Sequence, residues 1–427
     1  MKKYFACSLA ALLIAAFCVP AMAEVKIGGI VFTDAFFQFE DKEKTGGTDD
    51  ITTFNVTVPN ISRLNGKWKS DDGKFGLFIE LGLRGQGLYR TEGGTSGRDA
   101  VVRHAIGNWS PNSMFTMHAG NSTTDFSPLN PSQTMGTCVL NVLGMGYGNL
   151  YAGRVPHLRF TLSPVDTFKL SLALVDPDHG HHNLGYNGQT PIIVGYKKDG
   201  TPIVGDDETV MPRIDLSASI KAGPVSIYPG ISIANKSYAN VNPGNEDSFT
   251  TYALSLGTKM DFGIVSLAAE LNFGENWGNV DYFDMGGAFY PAASGHAGNA
   301  FLGKLGGAVS YLDKNLKRQI ADSELFAGWL DFAINVKPVQ IHLILGLQTC
   351  SNDMDASTSA DDFEQTTMMY GISAPIVISK HLKIRPEIMI YDFGELENWA
   401  AGTGNDPYID VDKGTRTLAG VQFQFTF

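Results

Sequence analysis

The sequence predicts an all-β fold: a transmembrane antiparallel β-barrel of about sixteen strands, with short turns at one end and long loops at the other. Three observations predict it. The chain ends on an alternating strand whose last residue is aromatic. Alternating segments of membrane-crossing length recur from Glu24 onward, joined by short turns and long loops in strict succession. No apolar run long enough for a membrane helix follows the N-terminal leader.

The terminal segment Thr415–Phe427 places Thr417, Ala419, Val421, Phe423, Phe425 and Phe427 on one face. Arg416, Gly420, Gln422, Gln424 and Thr426 lie on the other, with Leu418 the one exception. A period of two with one apolar face is a half-buried strand. In a soluble sandwich it would be an ordinary edge strand, so the other end of the chain must decide. There Lys2 and Lys3 precede an apolar stretch from Phe5 to Val19 and then Ala21-Met22-Ala23, which reads as a cleaved export signal over 1–23. The domain expected to remain is 24–427, and loss of Lys2 and Lys3 takes the formal net charge from −12 to −14. Charged residues make up 18% and glycines number 48, as suits a barrel whose apolar outside and polar inside average to neutral hydropathy. A large soluble β-protein is the competing class.

In order, the expected strands are Val25–Phe39, Thr52–Lys69, Lys74–Tyr89, Asp99–Trp109, Met114–Ser122, Arg154–Leu162, Thr167–Asp176, Met211–Lys221, Val225–Lys236, Phe249–Asp261, Ile264–Gly274, Ser323–Val336, Val339–Cys350, Gln365–Ser379, Leu382–Gly394 and the terminal strand. Turn residues such as Ser70-Asp-Asp-Gly73, Ser110-Pro-Asn-Ser113 and Lys337-Pro338 close one end. Loops such as Thr123–Gly153, Pro177–Val210 and Glu275–Asp322 occupy the other. A sheet edge cannot be left open in lipid, so the terminal strand must pair with Val25–Phe39. Both termini then lie at the short-turn, periplasmic end. Arg154 and Arg159 differ in parity, and a bulge near Pro156 is expected if both face inward.

This layout resembles the general diffusion porins of Gram-negative outer membranes. The resemblance spans 24–427 in architecture and is sharpest in 102–176. There Arg103-His-Ala-Ile-Gly-Asn-Trp109 precedes a short turn, a strand ending Ala119-Gly120-Asn121, a long third loop and Gly153-Arg154-Val155. It implies that the third loop folds into the lumen, that wall arginines face acids on that loop, and that the pore is a homotrimer. It also implies that the C-terminal aromatic strand (Phe423, Phe425, Phe427) closes the barrel and is read by the barrel-insertion machinery. The family's acidic Pro-Glu-Phe-Gly-Gly type segment is missing. Thr123–Gly153 carries one carboxylate, Asp125, and an apolar run from Cys138 to Gly146, so the loop is expected to pack against the wall.

Parity assigns the lumen face. Opposite the apolar stripes lie Arg63, Lys67, Arg84, Arg103, Arg159, Lys169, Arg213, Lys221, Lys259, Lys383, Arg385 and Arg416, against the acids Glu80, Asp215, Glu270, Asp331 and Glu387. With the resemblance, this points to Arg63, Arg84, Arg103, Asp125, Arg154, Arg159, Arg385 and Arg416 as pore-lining or constriction residues. A tube lined by one sign of charge concentrates counter-ions. The expected function is a passive outer-membrane channel for small hydrophilic solutes with mild anion preference, in contact with outer-membrane lipid and lipopolysaccharide. No cofactor, no reaction and no nucleic-acid partner are expected. The alternatives are an occluded structural or adhesin barrel, or a barrel enzyme, although no Gly-x-Ser-x-Gly elbow is present.

Smaller signals remain open. Cys138 and Cys350 could pair if their Cα atoms came within about 7 Å. The stretch 176–182 holds Asp and His side chains that could bind a metal or simply line a solvated loop. Asp353, Asp355, Ser357, Ser359, Asp361 and Glu364 match calcium-loop spacing, but Thr358 stands where that turn needs glycine.

Overall fold

The structure, a computed structural model, describes residues 24–41, 50–59, 61–83, 100–136, 142–176, 193–196, 202–204, 206–207, 211–239, 247–277, 309–312, 318–352, 363–400, 408–412 and 414–427. The expected leader, Arg84, Cys138, His179, His181, His182 and most of the acidic stretch after Asn352 lie outside these residues.

Sixteen crossing strands form one closed antiparallel barrel. They are β1 (Glu24–Glu40), β2 (Ile51–Thr57 continued by Arg63–Lys69), β3 (Phe75–Leu83), β4 (Ala100–Trp109), β5 (Phe115–Ser122), β6 (Val155–Val165), β7 (Phe168–Val175) and β8 (Arg213–Ala222). There follow β9 (Val225–Ala239), β10 (Ser248–Asp261), β11 (Val265–Glu275), β12 (Ser323–Val336), β13 (Val339–Asn352), β14 (Phe363–Ser373 continued by Ile376–Val377), β15 (Leu382–Asp392) and β16 (Thr415–Thr426). Each pairs with its neighbours in sequence. The ring closes where β1 meets β16, from Ile30 opposite Thr426 to Glu40 opposite Arg416. Closure pairs the first and last strands with each other, so neither presents an open edge to lipid, where an unpaired group would cost several kcal/mol.

The burial pattern is inverted relative to a soluble protein. Leu271 is 56% exposed while its neighbour Glu270 is fully buried, and Leu345 is 53% exposed beside a fully buried Ile344. Leu254, Leu256, Phe273, Phe326 and Ile341 continue this outward apolar belt. A half-exposed leucine beside a buried carboxylate fits an outer face solvated by hydrocarbon. The alternation comes from the pleat, which sends successive side chains to opposite faces.

Polar side chains fix the short turns. In the β2–β3 turn Asp72 Oδ1 accepts the Lys74 N–H at 3.0 Å and the Ser70 hydroxyl at 2.7 Å. Gly73 adopts φ +67°, a conformation that favours glycine. In the β4–β5 turn Asn112 Oδ1 accepts from the Met114 and Phe115 N–H groups.

Four details depart from the sequence reading. β2 is interrupted where Pro59 removes a ladder donor. Ser62 repairs the gap: its Oγ accepts the Phe32 N–H at 3.0 Å. β14 breaks at Ala374-Pro375 for the same reason. No bulge forms near Pro156, because Arg154 lies just before β6 and parity does not bind it; the register of β6 shifts between Leu162 and Val165 instead. A bulge does occur where Glu80 faces His104 and Leu81 faces Val102, leaving Arg103 as the extra residue.

Candidate functional site

The third loop, entered after β5 and left before β6, lies inside the barrel. Its outward leg is tied to the wall by buried acids. Thr124 Oγ1 donates to Asp215 Oδ2 at 2.7 Å, and Ser127 Oγ donates to Glu270 Oε1 at 2.7 Å. The backbone N–H groups of Ser132, Met135 and Gly136 donate to Asp331, Glu387 and Asp34 at 2.8, 3.0 and 2.9 Å. Thr134 Oγ1 donates to Gln422 Oε1 at 2.8 Å, and Gln422 Nε2 donates to Asp34 Oδ1 at 2.8 Å. The tethers therefore run along β8, β11, β12, β15, β16 and β1. Backbone amides and hydroxyls are ready partners for carboxylates, and a charge-assisted bond is worth about 1.5–3 kcal/mol.

The return leg packs as an apolar plug against the same half of the wall. Tyr147 of this leg and Met135, at the end of the outward leg, form a buried cluster with Phe36, Ile344, Met369, Met389, Tyr391 and Leu418. The Tyr147 and Tyr391 rings meet edge to face with centroids 5.1 Å apart. Burial pushes the Tyr147 phenol above its ordinary range, so it stays neutral. Leu418, the apolar exception on the polar face of the last strand, is fully buried in this cluster. Gly148 brings the leg close to the wall: a Cβ there would lie 2.1 Å from the Gly328 carbonyl oxygen. Thr367 Oγ1 donates to the Gly146 carbonyl at 2.8 Å.

The opposite wall, β2 to β7, carries a different set. Glu80 accepts from Arg103 Nε at 2.8 Å and from Arg63 Nε at 3.1 Å. Arg154 Nε donates to His104 Nε2 at 3.1 Å, and its guanidinium lies over the Tyr151 ring. An acceptor role at Nε2 places the ring proton of a neutral His104 on Nδ1, which meets Ser122 Oγ at 2.8 Å. Asp125 is clamped by Arg159 Nη1 and Lys169 Nζ, both at 2.8 Å, and by the Ser171 hydroxyl. Burial pushes the Asp125 carboxyl up, but the two cations and these hydrogen bonds outweigh it and hold it below its ordinary value.

Arg63, Arg103, Asp125, Arg154 and Arg159 thus gather on one side of the lumen. Arg385 sits across it and donates to Gln422 Oε1 at 3.3 Å. Arg416 lies at the long-loop rim, bonded to Glu40 and stacked over Phe393. Cys350 is buried on the lumen face of β13, and the pairing with Cys138 falls outside the described residues. Phe425 and Phe427 point outward, and Phe427 exchanges backbone hydrogen bonds with Gly29 at 3.1 and 3.2 Å. The Phe427 ring lies across Gly29, where any Cβ would strike it.

Parity did not single out Asp34, because its strand turns Phe32 and Phe36 inward as well and the polar face reads as mixed. The one-sided apolar run of the loop and the anomalous Leu418 were the available signals that part of the lumen wall is apolar.

A closed antiparallel barrel of sixteen strands is the fold of an outer-membrane β-barrel. The outer membrane channel DcaP of Acinetobacter baumannii has this fold, with TM-score 0.59 and 15% identity over 95% of this chain and 98% of that one. The anion-selective porin of Comamonas acidovorans is similar at TM-score 0.51 and 15% identity over 95% and 100%. The trimer form of OmpT from Vibrio cholerae is similar at TM-score 0.53 and 11% identity over 95% and 99%. No family model and no curated protein matches the chain.

Proposed function

We propose that this chain is a passive diffusion channel of the outer membrane for small hydrophilic solutes, with a preference for anions. One observation carries the preference. Of the wall acids, Asp34, Asp215, Glu270, Asp331 and Glu387 are engaged by the third loop and lie beneath it. On the other side of the lumen Arg63, Arg103, Arg154, Arg159 and Lys169 stand against the wall acid Glu80 and the loop acid Asp125, which Arg159 and Lys169 hold. Five cations against two carboxylates give a positive surface in a low-dielectric tube, which enriches anions. The constriction in this reading lies between the apolar back of the third loop and these side chains. Arg84, expected on the same face from sequence parity, lies outside the described residues; Arg385 and Arg416 add charge at the far wall and rim.

The mature barrel begins after a cleaved signal over 1–23, assembles as a homotrimer and sits among outer-membrane lipid and lipopolysaccharide. The C-terminal aromatic strand serves as the insertion signal. The trimer form of OmpT, which shares this fold, supports the assembly. Single-channel conductance in planar bilayers with a salt gradient tests the whole reading. Conductance in steps of three with an anion-biased reversal potential is expected. A folded barrel without conductance would replace the channel by an occluded structural barrel, and a cation bias would remove the selectivity.

A further inference from the structure

Beneath the start of the third loop the wall holds a partly open cavity of about 120 Å³, bordered by Lys169, whose side chain is 42% exposed. Its floor is built from register. Ser217 lies opposite Ser171 and Ser219 opposite Lys169 across the β7–β8 pair, and Tyr228 comes from β9. Its roof is Pro128, held in place because the preceding Ser127 is bonded to Glu270. Asp125 borders the cavity, but Arg159, Lys169 and Ser171 already occupy both of its oxygens. The cluster keeps one positive charge in excess. Lys169 has donors beyond the one it gives to Asp125, and Ser217, Ser219 and Tyr228 add hydroxyls.

We infer that this cavity is a transit subsite for short-chain carboxylates: the carboxylate meets Lys169 and the serine hydroxyls, and a short alkyl chain packs between Pro128 and the Tyr228 ring. The excess cation favours an anion over a neutral polyol. The apolar roof and ring favour an anion with a hydrocarbon tail over inorganic phosphate. The inference rests on the anion-channel reading above, but the two have separate readouts.

The test uses the mature barrel in planar bilayers bathed in chloride, with formate, acetate, propionate, butyrate, hexanoate and phosphate added in turn. Saturable block of the chloride current is expected, tightening from formate to butyrate and no further at hexanoate, with phosphate weaker than butyrate. The double variant S217V/S219V is expected to weaken butyrate block about tenfold, the scale of lost hydrogen bonds to a charged group. Block that is linear in concentration, flat along the series, or as strong for phosphate overturns the inference. So does unchanged butyrate block in S217V/S219V, which would leave Lys169 acting as a bare charge. If that variant does not insert, the chain-length series on the unaltered barrel decides. An anion-biased reversal potential without saturable block sinks this subsite alone, and a cation bias with saturable block sinks only the selectivity.

Discussion

The Gly136 backbone N–H donates to Asp34 Oδ2 at 2.9 Å, joining the third loop to the first strand of the barrel across 102 positions of sequence. Both partners lie in the buried seam where β1 meets β16, and Gln422 holds the other Asp34 oxygen. An Asp34→Ala change leaves that buried N–H without its acceptor, at a cost of about 1–3 kcal/mol. The loop is expected to loosen without loss of the barrel. Open-channel current noise should rise, and proteolysis within 123–153 should quicken; a quiet, protease-resistant variant would show that the tether is dispensable.

Gly148 tests the return leg. It has φ +113°, and a Cβ would sit 2.1 Å from a wall carbonyl that cannot swing away. Gly148→Ala therefore adds a backbone clash to at least about 1–2 kcal/mol of conformational strain. The expected result is a displaced loop and altered conductance. Gly66→Ala, where nothing lies within 4 Å of the added carbon, should leave conductance as it was.

Selectivity should follow the β2–β7 wall. The double change R103Q/R154Q is expected to lower the anion-to-cation permeability ratio by roughly two- to threefold, as the focused field weakens. Lys380→Gln, at the exposed β14–β15 turn, should leave the reversal potential unchanged. Equal effects from both would place the selectivity outside this wall.

The Asp125 clamp has a pH signature. Its carboxyl is held below the ordinary 3.8, so its contribution is complete above that value and is lost as pH falls through the lower folded one. Between about pH 7 and pH 5 the clamp should not respond, and it should release only below 3.8. Asp125→Asn should show the released state already at neutral pH. Loop proteolysis, compared between the two proteins across the acid range, reads this directly; matching profiles would contradict it.

Ser62→Ala removes the hydroxyl that accepts the Phe32 N–H where β2 is broken. The lost hydrogen bond should cost about 1–3 kcal/mol and lower the temperature at which the barrel unfolds in detergent gel shifts. An unmoved midpoint would mean that a water replaces the hydroxyl.

Much of the fold was legible in residue order. Segments such as Phe249–Asp261 and Val339–Cys350 carry a clean alternation, and the turn residues between them admit one reading. Proline was the main source of error, because Pro59 and Pro375 interrupt strands that alternation alone would run through. The candidate site was half legible. Arg63, Arg159 and the acids Asp215, Glu270, Asp331 and Glu387 were assigned inward by parity; in the structure Arg63 pairs with Glu80, Arg159 pairs with Asp125, and the four acids are buried. The partners of those acids were not legible. The family resemblance implied acids on the loop facing basic residues on the wall. Here Asp125 follows that pattern, whereas Thr124, Ser127 and Ser132 of the loop donate to the wall acids Asp215, Glu270 and Asp331.

The sequence by itself determined the barrel, the number of crossings, the face of most residues in the cleanly alternating strands and where the chain must close, because each depends on a period of two and on local turn chemistry. Only the tertiary structure decided which half of the wall the third loop covers. That choice rests on contacts such as Ser127 with Glu270, 143 positions apart, and Leu418 against the loop. It rests too on a one-residue bulge that turns Arg103 beside His104. Pairings over such distances are set by how the closed barrel brings its strands together, and no local pattern encodes them.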